Sequence, residues 1–159
     1  MIPNDRTFGG KSTFEYEGHT YQRWYYVEKC GEYRLHFKIV STNSPYRQGI
    51  ALFFGDFKGS LELNGQKIAV LKGFKHYVFH ENYFENNEFT LSVSAKEGKL
   101  IFANSSDDPE TGAAKCGAYC CAFWIEQLSE TRFRFHCNDH ESDDDFDDLV
   151  FDLEYCTKE

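Results

Sequence analysis

The sequence predicts an all-β protein, a two-sheet antiparallel β-sandwich with jelly-roll-like connectivity. Aromatic residues are abundant, with 16 Phe, 10 Tyr and 2 Trp against one Met, and such residues favour strands. Runs of alternating apolar and polar residues recur along the chain. Turn residues separate these runs every ~8–12 residues, a spacing typical of sandwiches and barrels. No run predicts a long helix, and a closed barrel is the alternative architecture.

The first strands follow a polar segment. Residues 1–12 are predicted to form a flexible arm, which leaves residues 13–159 as one β-sandwich domain. Segments 13–17 and 21–28 are predicted to pair as strands around a glycine. Segment 32–40 gives the clearest strand, because every second residue is apolar: Tyr33, Leu35, Phe37 and Ile39.

Turn signals divide the middle of the chain. Segment 41–48 contains Asn, Ser and Pro and is predicted to be a loop, and segment 50–57 is a mostly apolar strand. Asn64-Gly65 lies between two alternating runs and predicts a hairpin with a type I′ turn, in which both residues need positive φ. Segment 88–95 alternates again and predicts another strand.

The C-terminal third contains a predicted long loop and three predicted strands. Segment 104–116 is rich in Ser, Asp, Pro and Gly, so it is predicted to be a loop that could carry binding residues or supply oxygens to a cation. Segment 118–128 could be a strand or a short helix, and a strand is favoured because Phe, Trp and Ile are strong strand formers. Strands are also predicted over 132–137 and 149–156, with a strongly acidic loop between them.

Charge and hydropathy narrow the range of partners. The formal net charge is −9, which argues against nucleic acid and anionic membranes as partners. No apolar run is long enough to insert into a membrane. The N-terminus lacks a basic segment followed by an apolar one. The expected location is therefore cytoplasmic if Met1 is the native start, and secreted or surface-exposed if a signal peptide has been removed.

The cysteines leave the redox state open. They would be free thiols in a reducing compartment and could form up to three disulfides in an oxidising one. The six positions are Cys30, Cys116, Cys120, Cys121, Cys137 and Cys156.

The acidic loop is the main candidate site. Its carboxylates repel one another unless they are well solvated or share a cation, and Ca²⁺ takes about six to eight oxygen ligands from flexible loops. Phe146 is expected to anchor the loop to the core. The alternative is a solvated acidic loop without a metal. The predicted calcium ligands are Asn138, Asp139, Asp143, Asp145, Asp147 and Asp148.

Two short stretches resemble known families. Residues 143–152, Asp-Asp-Asp-Phe-Asp-Asp-Leu-Val-Phe-Asp, resemble a stretch of the calcium-binding β-sandwich domains in bacterial surface and adhesin-like proteins. That resemblance implies calcium binding by Asp143, Asp145, Asp147 and Asp148. At the level of the fold alone, segments 63–67 and 87–93 resemble galactose-binding-type jelly rolls, which implies no ligand.

A second metal site is a weaker candidate. Cys116, Cys120, His136 and His140 follow one another with spacings near those of a Cys2His2 zinc site. The alternative is buried thiols and surface histidines.

No sequence motif singles out an active site. The chain has neither Gly-x-Ser-x-Gly nor His-Glu-x-x-His. Two catalytic candidates remain. One is a pair formed by Cys137 with His76 or His80, because such pairs assemble in space, and the other is a pair of carboxylates across a cleft.

The sequence therefore predicts a non-enzymatic binding module that presents a loop surface to a glycan or protein ligand. Four aromatic residues are candidates for stacking on sugar rings: Trp24, Tyr25, Tyr26 and Tyr46. The alternative is a cytoplasmic acidic interaction domain of the immunity type, which would mask the basic surface of a toxic nuclease by electrostatic attraction.

Overall fold

Two antiparallel sheets pack face to face. The computed structural model describes residues 12–108, 110–116, 121–139 and 145–157, and within these ranges it has fourteen strands and one short 3-10 turn, Glu85–Asn87. This confirms the prediction of an all-β sandwich. The predicted N-terminal arm lies outside the described residues except for Ser12. Within the described ranges, no helix is long and apolar enough to span a membrane.

The larger sheet has nine strands in the spatial order β1-β2-β12-β13-β14-β4-β9-β6-β7. Their bounds are β1 Thr13–Tyr16, β2 His19–Gln22, β4 Gly31–Thr42, β6 Lys58–Leu63, β7 Gln66–Ile68, β9 Glu88–Glu97, β12 Ala122–Gln127, β13 Arg132–Asn138 and β14 Leu149–Thr157.

The smaller sheet has five strands: β11, β10, β5 and β8 lie side by side, and β3 also pairs with β10. Their bounds are β3 Tyr25–Val27, β5 Gln48–Phe53, β8 His76–His80, β10 Leu100–Asp107 and β11 Ala114–Cys116. From β2 to β12 the chain passes repeatedly between the two sheets, which is the jelly-roll-like feature of this sandwich.

The core lies between the sheets and is rich in aromatic residues. The alternation predicted for segment 32–40 is confirmed, since β4 buries the side chains on one face. Phe37 stacks on Phe89 of the same sheet at 4.8 Å between ring centroids, and it meets Phe102 of the opposite sheet at 5.0 Å. The predicted hairpin at Asn64 and Gly65 is also confirmed, with φ values of 48° and 83°.

The strand predicted over 21–28 is wrong in one respect, because the chain leaves the larger sheet within it. β2 ends at Gln22 and β3 starts at Tyr25 in the smaller sheet. The residues between them are tied down: the Gln22 side-chain amide donates to the carbonyl oxygen of Trp24 at 2.9 Å. Arg23 is buried and donates to the carbonyl oxygen of Cys121 at 2.7 Å.

The long loop predicted over 104–116 is also wrong in part. β10 continues to Asp107, and β11 returns beside it. Asn104, Ser105 and Ser106 are buried because they pair with the start of β5. Polarity suggested a loop, but the small size of these side chains suits a closely packed sheet.

Candidate metal centre

Three carboxylates of the acidic loop come together just before β14. Asp145, Asp147 and Asp148 each offer an oxygen, and these three atoms all lie within 4.8 Å of one another. Asp145 and Asp147 are exposed, whereas Asp148 is buried. Three negative charges so close together favour a cation, and a partly exposed oxygen cluster suits a hard divalent ion. This acidic triad could hold a metal ion.

Asp148 and Asp147 are positioned by hydrogen bonds. The Asp148 carboxylate accepts a hydrogen bond from the backbone N–H of Asp139 at 2.9 Å. The backbone carbonyl oxygen of Asp148 accepts one from the backbone N–H of Asn43 at 3.0 Å. The Asn43 side-chain amide donates to the Asp147 carboxylate, also at 3.0 Å. Ser44 donates its hydroxyl to the Asp139 carboxylate at 2.7 Å. The loop between β4 and β5 therefore supports the acidic triad from the side.

Phe146 fixes the path of the chain within the acidic triad. It has φ of 55°, a left-handed conformation that is rare for a large side chain. Its ring is buried against Tyr21, at 4.4 Å between centroids, in a small apolar cluster that also contains Ala122. The prediction that Phe146 anchors the loop is confirmed, although it joins this smaller cluster rather than the main core. The carboxylates on either side of it stay exposed.

The six predicted ligands divide into three groups. Asp145, Asp147 and Asp148 form the acidic triad. Asn138 and Asp139 are buried at the end of β13, where the Asn138 carbonyl oxygen accepts the side-chain amide of Asn104 at 2.7 Å. Asp139 instead supports Asp148 through its backbone. The last predicted ligand, Asp143, lies outside the described residues.

Asp152 is bound by arginines. It is 3% exposed, and its carboxylate accepts hydrogen bonds from Arg132 at 2.8 Å and from Arg134 at 2.8 and 3.0 Å. Burial raises the pKa of Asp152. The hydrogen bonds from Arg134 and Arg132 lower it by more, so the pKa stays below its ordinary value. This carboxylate is neutralised within the chain.

Two carboxylates of segment 104–116 are also paired with basic residues. Asp107 accepts a hydrogen bond from Arg47 at 2.8 Å, and Asp108 lies 3.0 Å from the Lys115 ammonium. These carboxylates bind basic residues next to strands of the smaller sheet. The expectation that this segment supplies oxygens to a cation in the acidic loop therefore gains no support.

Cys116 and His136, the two predicted zinc ligands that the structure describes, are not brought together. Cys116 lines a cleft on the outer face of the smaller sheet. His136 projects from the other side of the sandwich, where it stacks on Trp124 at 4.0 Å and bonds to Glu126 at 3.0 Å. Both sheets lie between these two residues. Because packed sheets are about 10 Å apart, Cys116 and His136 are too far from each other to bind one zinc ion. Cys120 and His140 lie outside the described residues.

The predicted pair of Cys137 with His76 or His80 does not form either. Cys137 is fully buried between the sheets. His76 and His80 lie on the face of β8 opposite the buried Phe79, so neither reaches the thiol. Burial raises the pKa of Cys137 well above its ordinary value, which keeps the thiol protonated at neutral pH.

The aromatic candidates for sugar stacking lie in three different environments. Trp24 and Tyr26 line the outer cleft of the smaller sheet. Tyr25 turns inward, where its hydroxyl bonds to that of Tyr155. Tyr46 is half-buried in the loop between β4 and β5, where its backbone N–H donates to the Ser44 hydroxyl at 3.1 Å.

Sequence reasoning missed the supporting residues Asn43 and Ser44. The available signal was the Asn-Ser-Pro run in the predicted loop 41–48, but sequence alone does not show that this loop meets the acidic loop about a hundred residues later.

Comparisons with known proteins were made at three levels. No protein-family model, curated protein or solved structure matched the chain. The resemblance of residues 143–152 to calcium-binding domains therefore stays a prediction.

Proposed function

We propose that this protein is a non-enzymatic β-sandwich binding module whose acidic triad binds Ca²⁺. The convergence of Asp145, Asp147 and Asp148 within 4.8 Å carries this proposal. Three carboxylates supply up to six oxygens, close to the number that Ca²⁺ requires, and solvent can reach the two exposed members to complete the shell. Mg²⁺ suits the site less well, because it demands near-ideal octahedral geometry.

Calcium would also order a surface for a ligand. Asn43 and Ser44 bond to Asp147 and Asp139, so an ion on the acidic triad would stiffen both loops together. Tyr46 follows in the same segment and is half-buried. We propose that this surface, formed by residues 43–46 and 145–148, receives a glycan or protein ligand.

Thermal unfolding with and without calcium tests the proposal. At a hundredfold excess of Ca²⁺ over Kd, binding should stabilise the protein by about 2.7 kcal/mol, or roughly 5–10 °C in Tm for a domain of this size. The double substitution Asp145→Asn with Asp147→Asn should abolish this shift.

The matched control is Glu62→Gln with Glu130→Gln, which removes two exposed negative charges elsewhere. This variant should keep the full calcium shift. Equal calcium shifts in the two double variants would exclude the acidic triad as the binding site.

One observation favours the immunity-type alternative. Four of the described cysteines, Cys30, Cys121, Cys137 and Cys156, are free thiols, as expected in a reducing compartment. Together with the net charge of −9, they support an acidic domain that binds a basic partner. Six free thiols in the native protein and no calcium shift would favour this alternative, whereas a calcium shift would favour the binding module.

A further inference from the structure

One loop presents an apolar side chain to solvent between two basic ones. Residues 72–75, the finger loop, have the sequence Lys-Gly-Phe-Lys and lie just before β8. Phe74 is 97% exposed, and Lys72 and Lys75 on either side of it are exposed as well. Covering this ring on binding is favourable, because it removes apolar surface from water.

Hydrogen bonds hold the finger loop in place. The Tyr77 hydroxyl donates to the carbonyl oxygen of Ala69 at 2.8 Å, which closes the loop across its base. The His76 ring donates to the carbonyl oxygen of Phe74 at 3.2 Å. Gly73, with φ of 71°, supplies the left-handed turn. The loop is thus ordered before binding, so binding of the Phe74 ring costs little conformational entropy.

The two lysines of the finger loop form no ion pair with a carboxylate of the described residues. In the neighbouring turns, by contrast, Lys58 pairs with Glu97 at 2.8 Å and Lys99 pairs with Glu28 at 3.7 Å. The ammonium groups of the finger loop are therefore available to an anionic partner.

The acidic triad lies toward the opposite end of the sandwich. β5 and β8 pair so that Phe53 is opposite His76 and Gly49 is opposite His80. The finger loop therefore lies at the other end of β8 from the loop between β4 and β5, which contacts the acidic triad. β8 alone spans about 13 Å, more than the Debye length of about 8 Å at physiological ionic strength. The net charge of −9 argued against anionic membranes, but the charge of the acidic triad is largely screened at the finger loop.

A second exposed ring lies on the same side. Tyr26 is 46% exposed and lines the same cleft as Phe74, and the Lys99 ammonium lies 5.0 Å from its ring centroid. Exposed rings beside lysines suit the boundary between lipid headgroups and acyl chains, where rings meet apolar tails and ammonium groups stay at the phosphates. A protein partner would need a pocket shaped for Phe74, whereas a lipid interface takes up one protruding ring without a preformed pocket.

We propose that the finger loop docks this protein on an anionic lipid surface. The Phe74 ring enters the boundary between headgroups and acyl chains, and Lys72 and Lys75 lie at the lipid phosphates. One ring and two lysines give a weak, reversible attachment, with a partition constant of about 10³ M⁻¹, below the roughly 10⁴ M⁻¹ of a single myristoyl chain. This proposal does not depend on the proposed calcium site.

The test is co-sedimentation with sucrose-loaded vesicles of phosphatidylcholine and phosphatidylserine, in EDTA so that no calcium bridges protein and lipid. The full chain should bind these vesicles about twentyfold more tightly than vesicles of phosphatidylcholine alone, because each lysine contributes about fivefold. Absence of sedimentation with the phosphatidylserine vesicles would overturn the proposal. Binding to soluble polyglutamate but not to vesicles would assign the lysines to an acidic protein surface and would overturn it too.

Substitution of exposed aromatic residues tests the role of the ring without a risk to folding. Phe74→Ser should weaken vesicle binding about tenfold, because the apolar contact with the lipid is lost. Tyr83 is also highly exposed, at 75%, but it follows the other end of β8, so Tyr83→Ser should bind vesicles like the wild type. Equal affinities in these two variants would contradict the placement of Phe74 in the lipid.

A pair of double substitutions separates the finger loop from the overall charge. Lys72→Gln with Lys75→Gln should weaken binding to the phosphatidylserine vesicles about twentyfold. The matched control is Lys38→Gln with Lys67→Gln, which removes two exposed lysines from the larger sheet and changes the net charge equally. This control should bind vesicles like the wild type, and equal binding by the two double variants would contradict the proposal.

Discussion

Two buried carboxylates at the C-terminal end differ in what surrounds them. Asp152 accepts hydrogen bonds from two guanidinium groups, those of Arg132 and Arg134. Asp148 accepts a backbone N–H, and two further carboxylates reach within 4.8 Å of it. The chain thus supplies positive charge to Asp152, whereas the acidic triad brings three carboxylates together. This contrast separates a structural ion pair from a candidate ligand.

The ion pairs of Asp152 make a testable contribution to stability. Asp152→Asn removes the charge that both arginines bind, so it should lower the free energy of unfolding at pH 7 by roughly 1–3 kcal/mol. Urea denaturation of the two proteins measures the difference. The exposed substitution Glu62→Gln is the control and should change little, as surface charges contribute little.

The same contribution should depend on pH. The pKa of Asp152 is lower in the folded protein than its ordinary value, so the stabilisation is present above pH of about 4 and is lost as pH falls through the folded pKa. The difference in unfolding free energy between wild type and Asp152→Asn should therefore shrink on acidification. A difference that stayed constant down to pH of about 2 would show that it does not arise from the charge.

At the scale of elements, the short segment 145–148 depends on Phe146. Replacing Phe146 by Ala removes a buried ring from the cluster with Tyr21 and should cost roughly 2–4 kcal/mol of unfolding free energy. It should also weaken calcium binding, because the flanking carboxylates lose their anchor. Chemical denaturation and calorimetric titration measure these two effects.

Phe146→Leu is the comparison variant, because it keeps an apolar side chain at the same left-handed position. It should lie between the wild type and Phe146→Ala in both measurements. An alanine variant that binds calcium as tightly as the wild type would mean that the buried ring does not position the carboxylates.

Strands with regular alternation could be predicted from sequence, and strands that change sheets could not. The pattern of β4 and the turn at Asn64 and Gly65 are local signals, and both were confirmed. The break at Arg23 and Trp24 depends on contacts with distant residues such as Cys121. The buried polar start of segment 104–116 depends likewise on its pairing with β5.

The acidic triad, like the fold, could be predicted from sequence only where its signal is local. Clustering of carboxylates along the chain indicated Asp145, Asp147 and Asp148, because they are close in sequence. The support from Asn43 and Ser44 was not predictable, since it requires β4 and β14 to be neighbours in the sheet. The outer cleft was still less accessible, because its lining comes from several separated strands and turns.

At the scale of the whole molecule, the acidic triad and the outer cleft occupy different parts of the sandwich. The acidic triad lies between β13 and β14 of the larger sheet, next to the loop between β4 and β5. The aromatic cleft lies on the outer face of the smaller sheet. The cleft should therefore keep its structure when the acidic triad is lost, so the indole N–H signal of Trp24 should have the same chemical shift in Asp145→Asn with Asp147→Asn as in the wild type.

Calorimetric titration of the chelator-treated protein with CaCl₂ tests the central claim most directly. The account predicts one calcium per chain in the wild type and in Glu62→Gln with Glu130→Gln. It predicts no measurable binding in Asp148→Asn, which keeps an oxygen acceptor for the Asp139 N–H but loses the buried charge. Absence of binding in the wild type, or unchanged binding in Asp148→Asn, would contradict the account.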